Sequence, residues 1–192
     1  MSSTELSMGE QHAYDAARFA EIVDSVRAAE DWARPSPVAA WTALDVVSHL
    51  VEWSRGFLQG SAGVDLAPLD VAADPAAAWK THTADIQALF DDPAGLMASN
   101  PHTGDKPLDV TLSEIYTPDV WMHSWDLSRA LGRDFDLGAE RAAAMLAGAA
   151  AMEDAMRGSG QFGPRFEVAA DATPQEQLLG FIGRNPYWKD RT

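Results

Sequence analysis

Three residues of this chain carry side chains that together could hold a cation: His49 in the run SHLVEW, and Asp119 and His123 in DVWMHSWDL. Asp119 and His123 are four positions apart, so on a helix of about 3.6 residues per turn they share one face, roughly one turn apart. His49 lies on a different amphipathic segment. A cation bound by all three would be clasped between two helices by two imidazoles and one carboxylate, as helical bundles build metal sites. This donor set suits zinc, iron, nickel or manganese, and three protein ligands leave coordination positions open for water or substrate. The D-x-x-x-H spacing is weak as a pattern, because a lone histidine in an apolar helix more often makes a hydrogen bond in or beside the core.

The residues around the three have two uses each. Asp126, three after His123, shares its helical face and could accept the free imidazole N–H, fixing tautomer and orientation; a salt bridge with Arg129 is the competing use. Trp53, four after His49, is expected to wall the pocket, whereas Trp121 and Trp125 are more ordinary core residues. Glu52, three after His49, belongs on a solvated face, or, turned inward, lines the pocket as a fourth ligand or general base. His12, His82 and His102 have no acidic or histidine partner at a suitable interval and are expected at the surface. A Ser-His-Asp arrangement through Ser124 fails, since that side chain points about 100° away from its neighbour His123.

A chain of 192 residues with 46% hydrophobic content can bury one full core, and one domain over residues 1–192 is expected. Within it, residues 1–157 read as the bundle core and 158–192 as a C-terminal extension. Fourteen Lys and Arg against 29 Asp and Glu give a formal charge of -15, with no basic cluster, which disfavours nucleic acid and anionic membranes as partners. No run approaches the about 18 apolar residues of a membrane span, and the polar start MSSTELSMGEQ lacks signal-peptide character, so a cytoplasmic location is expected. With no cysteine, disulfides, thiolate ligands and a cysteine nucleophile are excluded, and any thiol chemistry must use a thiol from outside.

The elements that must position the cluster are helices. Ser7-x-x-Glu10 reads as a capping box before a helix striped by Tyr14, Phe19, Ile22, Val23 and Val26, ended by Pro35 and Pro37. Trp41 and Thr42-x-x-Asp45 open a second helix that carries His49 and runs to Gly60. Asp74-Pro75 starts a third, ending near Asp91. A loop with Pro93, Gly95, Pro101, Gly104 and Pro107 leads to Thr111-x-x-Glu114, another box, and to the helix of Asp119 and His123, ending before Gly132. Pro118 predicts either a kink or a helix start at Thr117. Gly138 to Met156 reads as one Ala-rich packing helix, RFEV as a short strand, and Thr173-Pro174-Gln175-Glu176 as the capped start of a last helix stopped by Gly183. The fold class is all-α: a four-helix bundle with additional C-terminal helices and one short strand.

HSWDLSRALG, read with DVVSHL and the tail FGPRFEVAADATPQEQLLGFIGRNPYW, resembles the DinB-like superfamily over nearly the whole chain. More closely it resembles the actinobacterial group related to the N-terminal domain of mycothiol-dependent maleylpyruvate isomerase. The resemblance implies a divalent metal, zinc foremost with nickel or iron as alternatives, bound by one His on the second helix and an acid-x-x-x-His pair on a later one: here His49, Asp119 and His123. The isomerases resembling this chain carry Glu where it has Asp119, one methylene shorter. The resemblance further implies a low-molecular-weight thiol cofactor such as mycothiol, bound as its thiolate to attack an electrophile, as in isomerases and thiol S-transferases.

Three functions compete. The first is a metal-dependent, thiol-using S-transferase or isomerase acting on a small molecule. The second is a non-catalytic metal- or ligand-binding bundle with a vestigial site, motivated by the shortened carboxylate. The third is metal-activated hydrolysis, for which Glu52 is the only candidate base. Pairing into a homodimer through an exposed helix face is compatible with the pattern, though no uninterrupted apolar stripe requires it.

Overall fold

The computed structural model describes residues 6–100, 104–158 and 162–189. The fold is all-α, apart from one small antiparallel hairpin. Helices α1 (Met8–Val23), α2 (Ala43–Ala62), α3 (Pro75–Asp91) and α5 (Thr117–Ala130) form a four-helix arrangement in which α1 and α2 each pack against both α3 and α5. Phe19, Leu50, Trp79, Ile86, Leu112, Tyr116 and Leu127 are fully enclosed at its centre. A second apolar cluster joins the other face of α5 to the C-terminal helices, through Trp121, Trp125, Leu137, Leu178 and Phe181.

Local sequence sets the helix ends. Ser7, Thr42 and Thr173 each form a reciprocal capping box with the acid three residues on, so two free N–H groups are satisfied at each start. Asp74 caps α3 ahead of Pro75. Gly63, in the left-handed region, closes α2. Helix α1 stops at Val23, well before the two prolines, and a 3-10 turn over Ala29–Ala33 fills the gap. Tyr14 is not part of its buried stripe; the ring is 53% exposed, and His12, Asp15 and Ala16 face inward instead.

Other expectations are corrected. The strands are β1 (Met97–Asn100) and β2 (Gly104–Pro107), inside the segment expected to be loop, whereas RFEV is irregular and tied to the last helix by the Phe166 N–H donating to Gly180 O at 2.9 Å. The Ala-rich run is broken after Ala150 into α6 (Ala139–Ala150) and α7 (Glu153–Gly158); α8 (Pro174–Phe181) packs against α6. His12 and His82 are not at the surface but fully buried. Hydroxyls from other helices take the place of the missing acidic partners: His12 Nδ1 is 3.2 Å from Thr117 Oγ1, and His82 Nε2 is 2.7 Å from Tyr116 OH and 3.2 Å from Ser54 Oγ. His102 lies outside the described residues. No helix among the described residues is long and apolar enough to cross a membrane.

Candidate metal centre

Two helices aim the cluster. On α2 the Thr42 box fixes the first turn, with the Thr42 N–H donating to Asp45 Oδ2 at 2.7 Å. Val46, Val47, Leu50 and Val51 then face the core, and His49 stands at the edge of that face toward α5. The approach to α5 differs from the sequence expectation. The helix begins earlier, at α4 (Leu108–Thr111), and continues through a π-helical stretch, Leu112–Tyr116, into α5. Thr111 is therefore interior, its hydroxyl donating to Pro107 O at 3.0 Å, while Glu114 accepts from Lys106 Nζ at 2.6 Å. No capping box forms there, because the backbone N–H groups it would serve are already inside a helix. Pro118 explains the widened turn: it has no N–H to give the carbonyl four residues back, and its ring needs room there. Regular α-helix resumes at Thr117 with Pro118 in its first turn, continuous with the π-helical stretch, and Asp119 lies in that same turn.

His49, Asp119 and His123 each offer a ligand atom, and the three atoms lie within 4.8 Å of one another. Asp119 divides its carboxylate between the imidazoles: Oδ2 is 3.3 Å from His49 Nε2 and Oδ1 is 3.4 Å from His123 Nε2. Two ligands of a tetrahedral zinc ion, each at about 2.0–2.1 Å, are about 3.3–3.4 Å apart, and each imidazole stands at that separation from one of the two Asp119 oxygens. These separations also fit hydrogen bonds, and the donor set suits both. The side chains of His49 and Asp119 are 27% and 22% exposed while that of His123 is 7% exposed, which leaves one side of the cluster facing solvent.

Behind His123 the arrangement is closed. Its Nδ1 is 2.9 Å from Asp126 Oδ2, and Asp126 is 1% exposed. A proton on Nδ1 leaves the Nε2 lone pair directed at the Asp119 side, the tautomer a ligating histidine needs. Asp126 in turn accepts from Arg184, with Nε 2.9 Å from Oδ1 and the terminal nitrogen 3.2 Å from Oδ2. Burial would push the Asp126 carboxyl up, but the Arg184 guanidinium and His123 outweigh it and hold it below the usual carboxylate range. Burial would likewise push the His123 imidazole down; Asp119 and Asp126 outweigh it and hold it above its ordinary value. Arg129 makes no bond to Asp126 and donates to Asp134 and to Trp188 O.

Aromatic rings flank the histidines. Trp53 stacks near His49, with ring centroids 6.1 Å apart. Trp41, to which the sequence reading assigned no pocket role, sits 4.8 Å from the His49 ring and 5.8 Å from the His123 ring. It precedes α2, so helical spacing from His49 does not point to it. Trp121 and Trp125 belong to the opposite face of α5, where the Trp121 indole N–H donates to Leu137 O. Glu52 is exposed and stands outside the cluster: three residues from His49 is about 60° short of a full turn, toward solvent. Arg184, in the GRNPYW end of the tail, has no acid or histidine at a helical interval that would mark it as a site residue in the sequence.

The family described as the mycothiol maleylpyruvate isomerase N-terminal domain matches residues 14–128, a span that contains His49, Asp119, His123 and Asp126. Uncharacterized proteins from two strains of Mycobacterium tuberculosis are each 32% identical over 183 residues, covering 92% of this chain and 96% of theirs. No solved structure matches the chain. A match over more than half its length, together with these full-length relatives, places the chain in the mycothiol maleylpyruvate isomerase N-terminal domain family.

Proposed function

We propose that this protein binds a divalent metal ion, zinc foremost, at His49, Asp119 and His123, and works with a small thiol of the mycothiol type as an S-transferase or isomerase. The observation that carries the reading is the cluster itself: three ligand atoms within 4.8 Å, on two helices, open on one side, in a chain of this family. When bound, the ion would lower the pKa of a coordinated thiol and hold it as a nucleophile beside the second substrate. The chain's own contribution is positional. His123 is held by Asp126 with Nε2 toward Asp119, Asp119 brings its charge to both imidazoles, and Trp41 and Trp53 pack their rings beside His49. The nucleophilic sulfur must come from outside, since the chain has no cysteine.

A non-catalytic binding role is the second reading. It is favoured by one observation: among the described residues no further acidic or histidine side chain joins the three within ligand reach. The exposure of Glu52 counts against metal-activated hydrolysis, because its only candidate base faces away. The test is elemental analysis of protein purified without chelators or immobilised metal, followed by calorimetric titration with mycothiol. One divalent ion per chain, lost in His123→Ala, and saturable thiol binding that needs the ion support the enzyme reading. An ion without thiol binding supports the second reading, and a wild-type chain that takes up no divalent ion overturns both.

A further inference from the structure

We propose that Arg184 is a positioning residue for the metal centre, acting through the Asp126 carboxylate to fix the orientation of the His123 imidazole. The inference rests on the reading of His49, Asp119 and His123 as ligands, and adds to it a residue from the far end of the chain. His123 has two ring nitrogens; Nε2 faces Asp119, so the ring's orientation depends on what Nδ1 meets, and it meets Asp126 Oδ2. A carboxylate held through one oxygen can still rotate. Here Arg184 holds both: its Nε donates to Oδ1 at 2.9 Å and lies 3.3 Å from Oδ2, and its terminal nitrogen is 3.2 Å from Oδ2. A planar guanidinium fork fixes the plane of a carboxylate in a way that a lysine point charge does not. The side chains of Asp126 and Arg184 are only 2% and 17% exposed, so water is a poor substitute for either partner.

Arg184 is itself placed by backbone geometry. At the end of α8 the Arg184 N–H donates to Leu179 O at 2.8 Å and the Gly183 N–H to Gly180 O at 3.2 Å, the paired bonds of a Schellman stop. Gly183 has φ +88, and a Cβ there would lie 2.8 Å from Pro164 O and 2.9 Å from Gly163. The stop turns the chain so that the guanidinium reaches back 58 positions to α5. The family match ends at residue 128, so the tail supplies a supporting contact from beyond the matched region.

The test is cobalt(II) titration of the full chain, followed by its visible absorption and by competition with zinc, in wild type, Arg184→Met, Arg184→Lys and Arg129→Met. Arg129 ties the same tail to the same helix, through Trp188 O, without touching Asp126, and so controls for loosened docking. Expected are a loss of affinity of about 10–100-fold in Arg184→Met with a shifted cobalt band, a smaller loss in Arg184→Lys, and affinity within about threefold of wild type in Arg129→Met. Wild-type affinity and spectrum in Arg184→Met, or an equal loss in Arg129→Met, would overturn the proposal. Should Arg184→Met fail to fold, Arg184→Lys decides, and wild-type behaviour there overturns it. A wild-type chain that binds no cobalt sinks the metal reading itself, an outcome distinct from a binding wild type with indifferent Arg184 variants.

Discussion

Asp119 offers one oxygen to each of two imidazoles, so its charge, more than its length, decides whether the cluster can hold a dication. Asp119→Asn is expected to lower metal affinity by more than about 100-fold, beyond the range of outer-shell losses, while Asp119→Glu retains the ion; elemental analysis after dialysis against a weak chelator reads both. The two buried histidines make a separate prediction. Burial pushes His12 down to about 4, opposed by Asp15, and His82 down to about 3, helped by Arg55 and His12. In the unfolded chain both titrate near 6.5, so below that pH the unfolded state takes up protons the native state refuses. The contribution of these two histidines to stability is therefore complete above pH about 6.5, falls as the pH drops, and levels off near pH about 3. At pH 5 the loss is about 2 kcal/mol per histidine, measurable as a lower urea midpoint than at pH 7, and His82→Gln should remove its share of the slope.

At the scale of elements, the α8 stop is the most sensitive joint. Gly183→Ala combines a left-handed backbone with a contact of 2.8 Å to a carbonyl oxygen, and an unfolding cost of about 1–3 kcal/mol or more is expected by urea titration. What the sequence revealed follows the range of the interactions involved. The boxes at Ser7, Thr42 and Thr173 close within three residues and were readable, as was the Asp119 and His123 pair one turn apart. Thr111-x-x-Glu114 had the same letters but sits inside a helix that starts at Leu108, where nothing local distinguishes a cap from an interior turn. The burial of His12 and His82 depends on hydroxyls 105 and 34 positions away, and Arg184 meets Asp126 at 58, so one-dimensional spacing carries no trace of them. The hairpin at residues 97–107 was hidden for another reason, since its strands are four residues each and rich in polar and turn-forming types.

At the scale of the whole molecule, α5 is a wall between two apolar clusters, with Asp119 and His123 toward one and Trp121 and Trp125 toward the other. Asp15 on α1 is 1% exposed and receives both terminal nitrogens of Arg141 on α6, at 2.7 and 2.6 Å, with the guanidinium also 4.4 Å over the Trp121 ring. Arg141→Met would leave that carboxylate with the Gln11 side-chain amide as its remaining donor among the described residues, and a loss of about 2–4 kcal/mol in urea unfolding is expected. The His49 and Asp119 contact spans 70 positions and exists only when α2 and α5 are assembled. An ion gripped there would recognise the native chain and ignore the denatured one, making dissolved metal a thermodynamic partner in folding. At a hundredfold excess over its dissociation constant the gain is about 2.7 kcal/mol, so stripping with EDTA should depress the melting temperature by about 5–10 °C and resupply should restore it.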